Sequence, residues 1–129
     1  MKTMRLLPVD DNQDNLELLT AILSERYQVS SFACAREALA SLDAAKPDLV
    51  LLDIGMSPID GLGCLQTIRD MPGYRNIPAI ALTAYARDVE RKAFLATGFD
   101  AVVTKPILDY QELFGPITAL LEQETANPA

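Results

Sequence analysis

No histidine occurs anywhere in the 129 residues. That absence removes imidazole as general base, nucleophile or metal ligand, and with it every His-dependent triad and most zinc sites. Cysteine is nearly as scarce. Cys34 and Cys64 are the two in the chain, and each falls at the start of or inside a helical pattern, where it reads as a small apolar residue. Half of the residues are hydrophobic, yet no apolar run approaches the roughly 20 residues that span a bilayer. The basic start, Met1-Lys2-Thr3-Met4-Arg5, is followed by only four apolar residues before Asp10, too few for a signal peptide. A soluble protein of a reducing cytoplasm is therefore expected. Positive charge is also in deficit: 11 Lys and Arg stand against 18 Asp and Glu, a formal charge of −7. That balance argues against duplex nucleic acid or an anionic membrane as direct partner and leaves metal cations open.

The length suits one domain. Residues 5–9 form a short apolar run entering Asp10-Asp11-Asn12, which predicts a strand ending in carboxylates, with Pro8 awkward inside it because proline gives nothing to a ladder. Leu16, Leu19, Thr20 and Leu23 then fall on one helical face, capped by Asp11 or Asn12. Residues 28–32 are β-prone, and 35–44 predict a helix with Ala38, Leu39 and Leu42 on one side. The run Leu49-Val50-Leu51-Leu52-Asp53 is wholly apolar until its last residue and reads as a strand buried on both faces. A loop through Gly55-Met56-Ser57-Pro58 leads to Asp60, read as a cap, and Gly61, which begins a helix ending near Met71 before Pro72-Gly73. Residues 79–82 predict a strand closing at Thr83, residues 88–96 a helix, Gly98 its cap, and 101–103 a fifth strand before Thr104-Lys105-Pro106. Leu113, Ile117, Leu120 and Leu121 keep helical spacing, with Gly115-Pro116 predicting a kink there or a helix that starts only near Pro116. The domain is expected to span 1–123, followed by a disordered tail over 124–129. Strands alternating with about five helices define an α/β doubly wound domain on a parallel sheet.

Chemistry in such a sheet gathers beyond the carboxyl ends of its strands. Those ends supply Asp10 and Asp11, then Asp53, Thr83 and Lys105. Like charges 4 Å apart at an effective dielectric of 20 repel by about 4 kcal/mol, so three carboxylates together call for a cation. Oxygen ligands with water still bound suit Mg²⁺. The lysine, the threonine hydroxyl and the metal could converge on phosphoryl oxygens, with Asp53 as the acceptor carboxylate.

These motifs, Asp10-Asp11-Asn12, Asp53 at the end of its strand, Asp60-Gly61, Leu82-Thr83-Ala84 and Gly98 through Thr104-Lys105-Pro106, resemble the receiver domain of CheY-like response regulators in two-component phosphorelay signalling. The resemblance implies a flavodoxin-like sheet of order 2-1-3-4-5 and phosphorylation of Asp53 by the phosphohistidine of a histidine kinase or phosphotransfer protein. It implies Mg²⁺ held by Asp11, Asp53 and the Gly55 carbonyl, with Asp10 acting through water. Lys105 would pair with Asp53 or its phosphoryl group ahead of a cis peptide at Pro106, and Thr83 would take a phosphoryl oxygen. A phosphoacceptor of this kind assists only its own phosphorylation and dephosphorylation and then switches protein contacts. Asn12, Asn15 and Leu16 are candidates for the phosphodonor's docking face.

The chain departs from the family at Val102, where an aromatic switch residue is usual, at Met56-Ser57-Pro58, where Met-Pro is common, and at Gly115-Pro116. Gly55 and Tyr85 are expected to tune the lifetime of the acyl phosphate, Gly55 by leaving the phosphorus open and Tyr85 by covering it and standing in for the missing aromatic. Two other readings stay open: an aspartate-nucleophile, Mg²⁺-dependent phosphohydrolase, which usually needs a second acid where Gly55 stands, and a receiver-like interaction module without phosphate turnover. A stand-alone regulator and one unit of a larger protein fit equally well, since no output domain follows the last helix in this sequence. The downstream target is not readable from it.

Overall fold

A computed structural model describes residues 3–55, 61–84, 87–105, 107 and 109–126, with side chains through 122. The expectations for Met56, Ser57, Pro58, Asp60, Tyr85 and Pro106 lie outside the described residues. In chain order the elements are β1 (Arg5–Val9), α1 (Gln13–Leu23), β2 (Gln28–Val29), α2 (Ala35–Ala40), α3 (Leu42–Ala45), β3 (Leu49–Asp53), α4 (Gly61–Asp70), β4 (Ala79–Thr83), α5 (Asp88–Ala96), β5 (Ala101–Thr104) and α6 (Tyr110–Ala126). The strands form one parallel sheet of order β2-β1-β3-β4-β5. This is the flavodoxin-like arrangement expected of the chain.

Side-chain alternation along each strand divides the core into two layers. Leu7, Val9, Val50, Leu52, Ala79, Ala81 and Val102 face one side, where Ala38, Leu42, Cys64, Leu65 and Ile68 cover them. Leu6, Leu49, Leu51, Ile80, Leu82 and Val103 face the other, beneath Leu19, Ile22 and Leu23 of α1 and Leu113, Phe114, Ile117 and Leu121 of α6. On the first side the β4 positions are alanines, leaving room for α4. Burial in that layer pushes the Cys64 thiol up to about 11, which keeps it protonated and inert.

Pro8 is accommodated by the side on which its nitrogen falls. Ser30 N–H donates to Leu6 O at 3.0 Å and Phe32 N–H to Pro8 O at 3.1 Å, so the backbone polar groups of Pro8 face β2. The donor it lacks would have met the carbonyl of Ser30. The regular ladder accordingly stops at Val29, with a single further bridge between Val9 and Phe32, and the strand expected over 28–32 is shortened to two residues. The pairing of β1 with β3 is untouched.

Other expectations are corrected at element ends. The helix expected over 35–44 is broken at Ser41, whose N–H is shared between Glu37 O and Ala38 O, both at 3.1 Å. It then stops at Lys46, whose φ of 47° is left-handed, ahead of Pro47, which disfavours helix in its predecessor. In α1 the fourth buried residue is Ile22 rather than Thr20, and Asn12 alone is the cap, accepting from Asn15 N–H at 3.0 Å. α6 begins six residues before Pro116 and carries the proline inside it. The roughly 3 kcal/mol that an interior proline costs is offset by burial of Leu113, Phe114, Ile117 and Leu121. The same helix runs to Ala126, since glutamate, glutamine and alanine propagate a helix well.

The edge of the sheet opposite the acidic strand ends is fastened by a residue whose role has no sequence signature. Arg69 of α4 donates to Gly98 O at 2.7 Å, Ile77 O at 2.9 Å and Asp100 Oδ2 at 3.1 Å, and Asp100 Oδ2 also accepts from Ala79 N–H at 2.9 Å. Gly98 has φ of +121°, and a Cβ there would lie 3.1 Å from Arg69 Nη1. The positive φ calls for glycine, and a side chain there would also press on the Arg69 guanidinium.

Candidate functional site

The sheet alternation that builds the core also builds the site. Asp10 continues the row of Leu6 and Pro8, Asp53 that of Leu49 and Leu51, and Lys105 that of Val103, so all three lie on the α1–α6 side at the carboxyl end of the sheet. Lys105 Nζ stands 3.2 Å from Asp10 Oδ2 and 3.3 Å from Asp53 Oδ1. Asp10 is 1% and Asp53 6% exposed, so two carboxylates are held out of water with one ammonium between them. Asp11, beyond the strand end, is exposed. One carboxylate oxygen from each of Asp10, Asp11 and Asp53 falls within 4.8 Å of the others.

Backbone donors hold two of these carboxylates. Asn12 N–H donates to Asp10 Oδ1 at 2.9 Å and Gly55 N–H to Asp53 Oδ1 at 3.1 Å. Burial is the largest influence on Asp10 and lifts its carboxyl above the usual aspartate range; the charge of Asp53 adds to this, while the Asn12 N–H and Lys105 act against it. Three acidic groups against one ammonium leave negative charge in excess on a purely oxygen donor set. Such a set fits a hard divalent cation such as Mg²⁺.

Thr83 is buried at the end of β4 and continues the opposite row, that of Ala79 and Ala81. Its carbonyl accepts from Lys105 N–H at 2.8 Å, which joins the ends of β4 and β5. Val102 is 8% exposed and sits in the α4-side layer, away from the acidic cluster. Leu16 is buried on α1, so it cannot belong to a docking face; Leu18, 53% exposed, takes the outward position. With Asn15, Leu19 and Ile107 it lines a groove that leads to Asp10 and Lys105.

Two contacts near the site escape a reading of the sequence. Arg91 of α5 donates to Val102 O and to Thr104 Oγ1, both at 3.2 Å. Its only signal is that it is the first cation within α5, spaced for one face of a short helix. The close packing of Gly61 on the strand end that carries Asp53 is marked in the sequence by the glycine of Asp60-Gly61, which does not tell what it packs on.

The family model for the response regulator receiver domain matches residues 6–117, and the chain belongs to that family. It is 39% identical over 105 residues to the 14.6 kDa protein of the sodA1 3′ region of Leptolyngbya boryana, covering 81% of this chain and 80% of that one. It is 37% identical over 117 residues to the response regulator PleD of Caulobacter vibrioides, covering 90% of this chain and 26% of PleD, about a quarter of the longer protein. Among solved structures, the signal receiver domain of a signal transduction histidine kinase from Syntrophus aciditrophicus superposes with a TM-score of 0.82 at 29% identity, over 98% of this chain and 96% of that one. The chain is thus a receiver domain of two-component signalling. Among the described residues no helix is long and apolar enough to cross a membrane.

Proposed function

We propose that Asp53 accepts a phosphoryl group from the phosphohistidine of a histidine kinase or phosphotransfer protein, in a Mg²⁺-dependent reaction that switches the domain's protein contacts. The observation that carries this reading is the placement of Lys105 3.3 Å from a buried Asp53, with two further carboxylates within 4.8 Å. A carboxylate oxygen of Asp53 attacks phosphorus and forms the acyl phosphate. The P–N bond breaks and its electron pair leaves with the donor imidazole. Lys105 meets the phosphoryl charge without first being moved into the site, and the Thr83 hydroxyl serves a phosphoryl oxygen from the neighbouring strand. Asp10, Asp11, Asp53 and the Gly55 carbonyl would hold Mg²⁺, which supplies positive charge to the phosphoryl oxygens.

Intact-mass measurement after incubation with Mg²⁺ and acetyl phosphate or a phosphorylated histidine donor tests the reading. An adduct of about 80 Da, one phosphoryl group, is expected in the parent and absent in Asp53→Asn. Steady release of phosphate from sugar phosphates without an adduct would favour a hydrolase. Neither result would leave an interaction module.

A further inference from the structure

Gly61, the first residue of α4, is buried. A methyl group built on its Cα would stand 2.5 Å from the carbonyl oxygen of Asp53, 3.0 Å from the carbonyl carbon and 3.2 Å from Ile54 Cα. Ordinary contact begins near 3.5 Å, so a side chain here demands a shift of roughly 1 Å. The obstructing atoms are backbone, which has no rotamer to change. Gly55, on the other side of the acceptor, differs: a methyl there would lie 3.9 Å from Asp53 Oδ1, an ordinary contact.

Neither partner in the Gly61 contact is free to withdraw. Asp53 pairs with Leu82 in the sheet, and Ile54 N–H donates to Leu82 O at 3.0 Å. On the helix side, Cys64, Leu65 and Ile68 are fully buried in the core. The displacement would therefore fall on the short span of chain that carries the Asp53 carboxylate and the Gly55 carbonyl, while Asp10 and Lys105 stay on their own strands.

The geometry points to Gly61 as a positioning residue: its missing side chain lets α4 rest on the Asp53 backbone and so fixes the acceptor carboxylate and the Gly55 carbonyl against Asp10, Asp11 and Lys105. The inference rests on the phosphoacceptor reading and deepens it, giving a role to the second residue of the Asp60-Gly61 motif.

The test uses Gly61→Ala alone and together with Gly115→Ala. A methyl at Gly115 in α6 meets nothing within 4 Å outside its chain neighbours, and the unfolded-state freedom that alanine removes offsets the restriction Pro116 places on its predecessor, so this variant serves as a glycine-to-alanine control far from the site. Two quantities are read: the Mg²⁺ concentration at half of the metal-induced rise in thermal midpoint, with Mg²⁺ alone, and the rate of adduct formation at saturating acetyl phosphate. A displacement of about 1 Å predicts a rate lower by about 100-fold, and a Mg²⁺ midpoint raised about tenfold, in both Gly61 variants. Gly115→Ala alone should match the parent. If Gly61→Ala lowers thermal stability while both quantities stay within about threefold of the parent, the helix has absorbed the shift and the positioning role is overturned. A parent that binds Mg²⁺ but forms no adduct overturns the phosphoacceptor reading alone, and the Mg²⁺ arm still decides Gly61. A parent that does neither has no site to position, which overturns both.

Discussion

Lys105 Nζ lies 3.2 Å from Asp10 Oδ2 across 95 residues of sequence, and the same ammonium reaches Asp53. Taking it away leaves two buried carboxylates facing each other with no cation between them. Lys105→Met is expected to lower the stability of the metal-free protein by about 2–4 kcal/mol, and Mg²⁺ is expected to restore part of the loss. Urea unfolding in EDTA and in excess Mg²⁺ measures both effects. An unchanged midpoint in EDTA would contradict the role given to this contact.

Asp10 carries the opposite sign. Its carboxyl is raised above the usual 3.8, chiefly by burial, so the folded state holds the proton more tightly than the unfolded chain does. Its contribution to stability is therefore fully present below 3.8 and is lost as pH rises through the folded value. Asp10→Asn should flatten that limb of the pH–stability curve and, at pH 7 without metal, stabilise the protein. It should also abolish most of the roughly 2.7 kcal/mol that Mg²⁺ at 100 times its Kd adds to the parent. Thermal melts from pH 4 to 8, with and without Mg²⁺, read both consequences.

Arg91 ties α5 to the strand that delivers Lys105. None of the residues of α5 is fully buried; Phe94 packs partly against the core, and Arg91 adds two hydrogen bonds to β5. Arg91→Met keeps an apolar stem and loses the donors, about 1.4 kcal/mol of local protection or tenfold in amide exchange. Hydrogen-exchange mass spectrometry should show residues 88–96 exchanging about ten times faster, while adduct formation on Asp53 continues. Exchange equal to the parent's would assign the hold on α5 to other contacts. Val102 itself is packed in the core, and its carbonyl is one end of this polar tie between α5 and β5.

The strands were readable because burial on both faces leaves an unbroken apolar run. Leu49 to Asp53 is such a run, and its end carried the acidic residue that the structure brings beside Asp10, Asp11 and Lys105. Local signals failed where tertiary context decides. Pro8 could be placed only once its neighbours were known, since its fit depends on which side its nitrogen faces. The break at Ser41 turns on one shared hydrogen bond, and helix α6 passes Pro116 because the sheet beneath it rewards burial. Leu16 and Leu18 are chemically alike and differ only in the side of α1 on which they lie. Arg69 and Gly61 act on backbone atoms distant in sequence or hidden in a turn, and composition carries no trace of that.

The two rims of the sheet share one consequence. At β2 the ladder ends after two residues because Pro8 withholds a donor, and at β5 the outward carbonyl of Val102 is taken by Arg91. An edge strand of two residues and one whose carbonyl is capped by a side chain are poor templates for edge-to-edge pairing with another molecule.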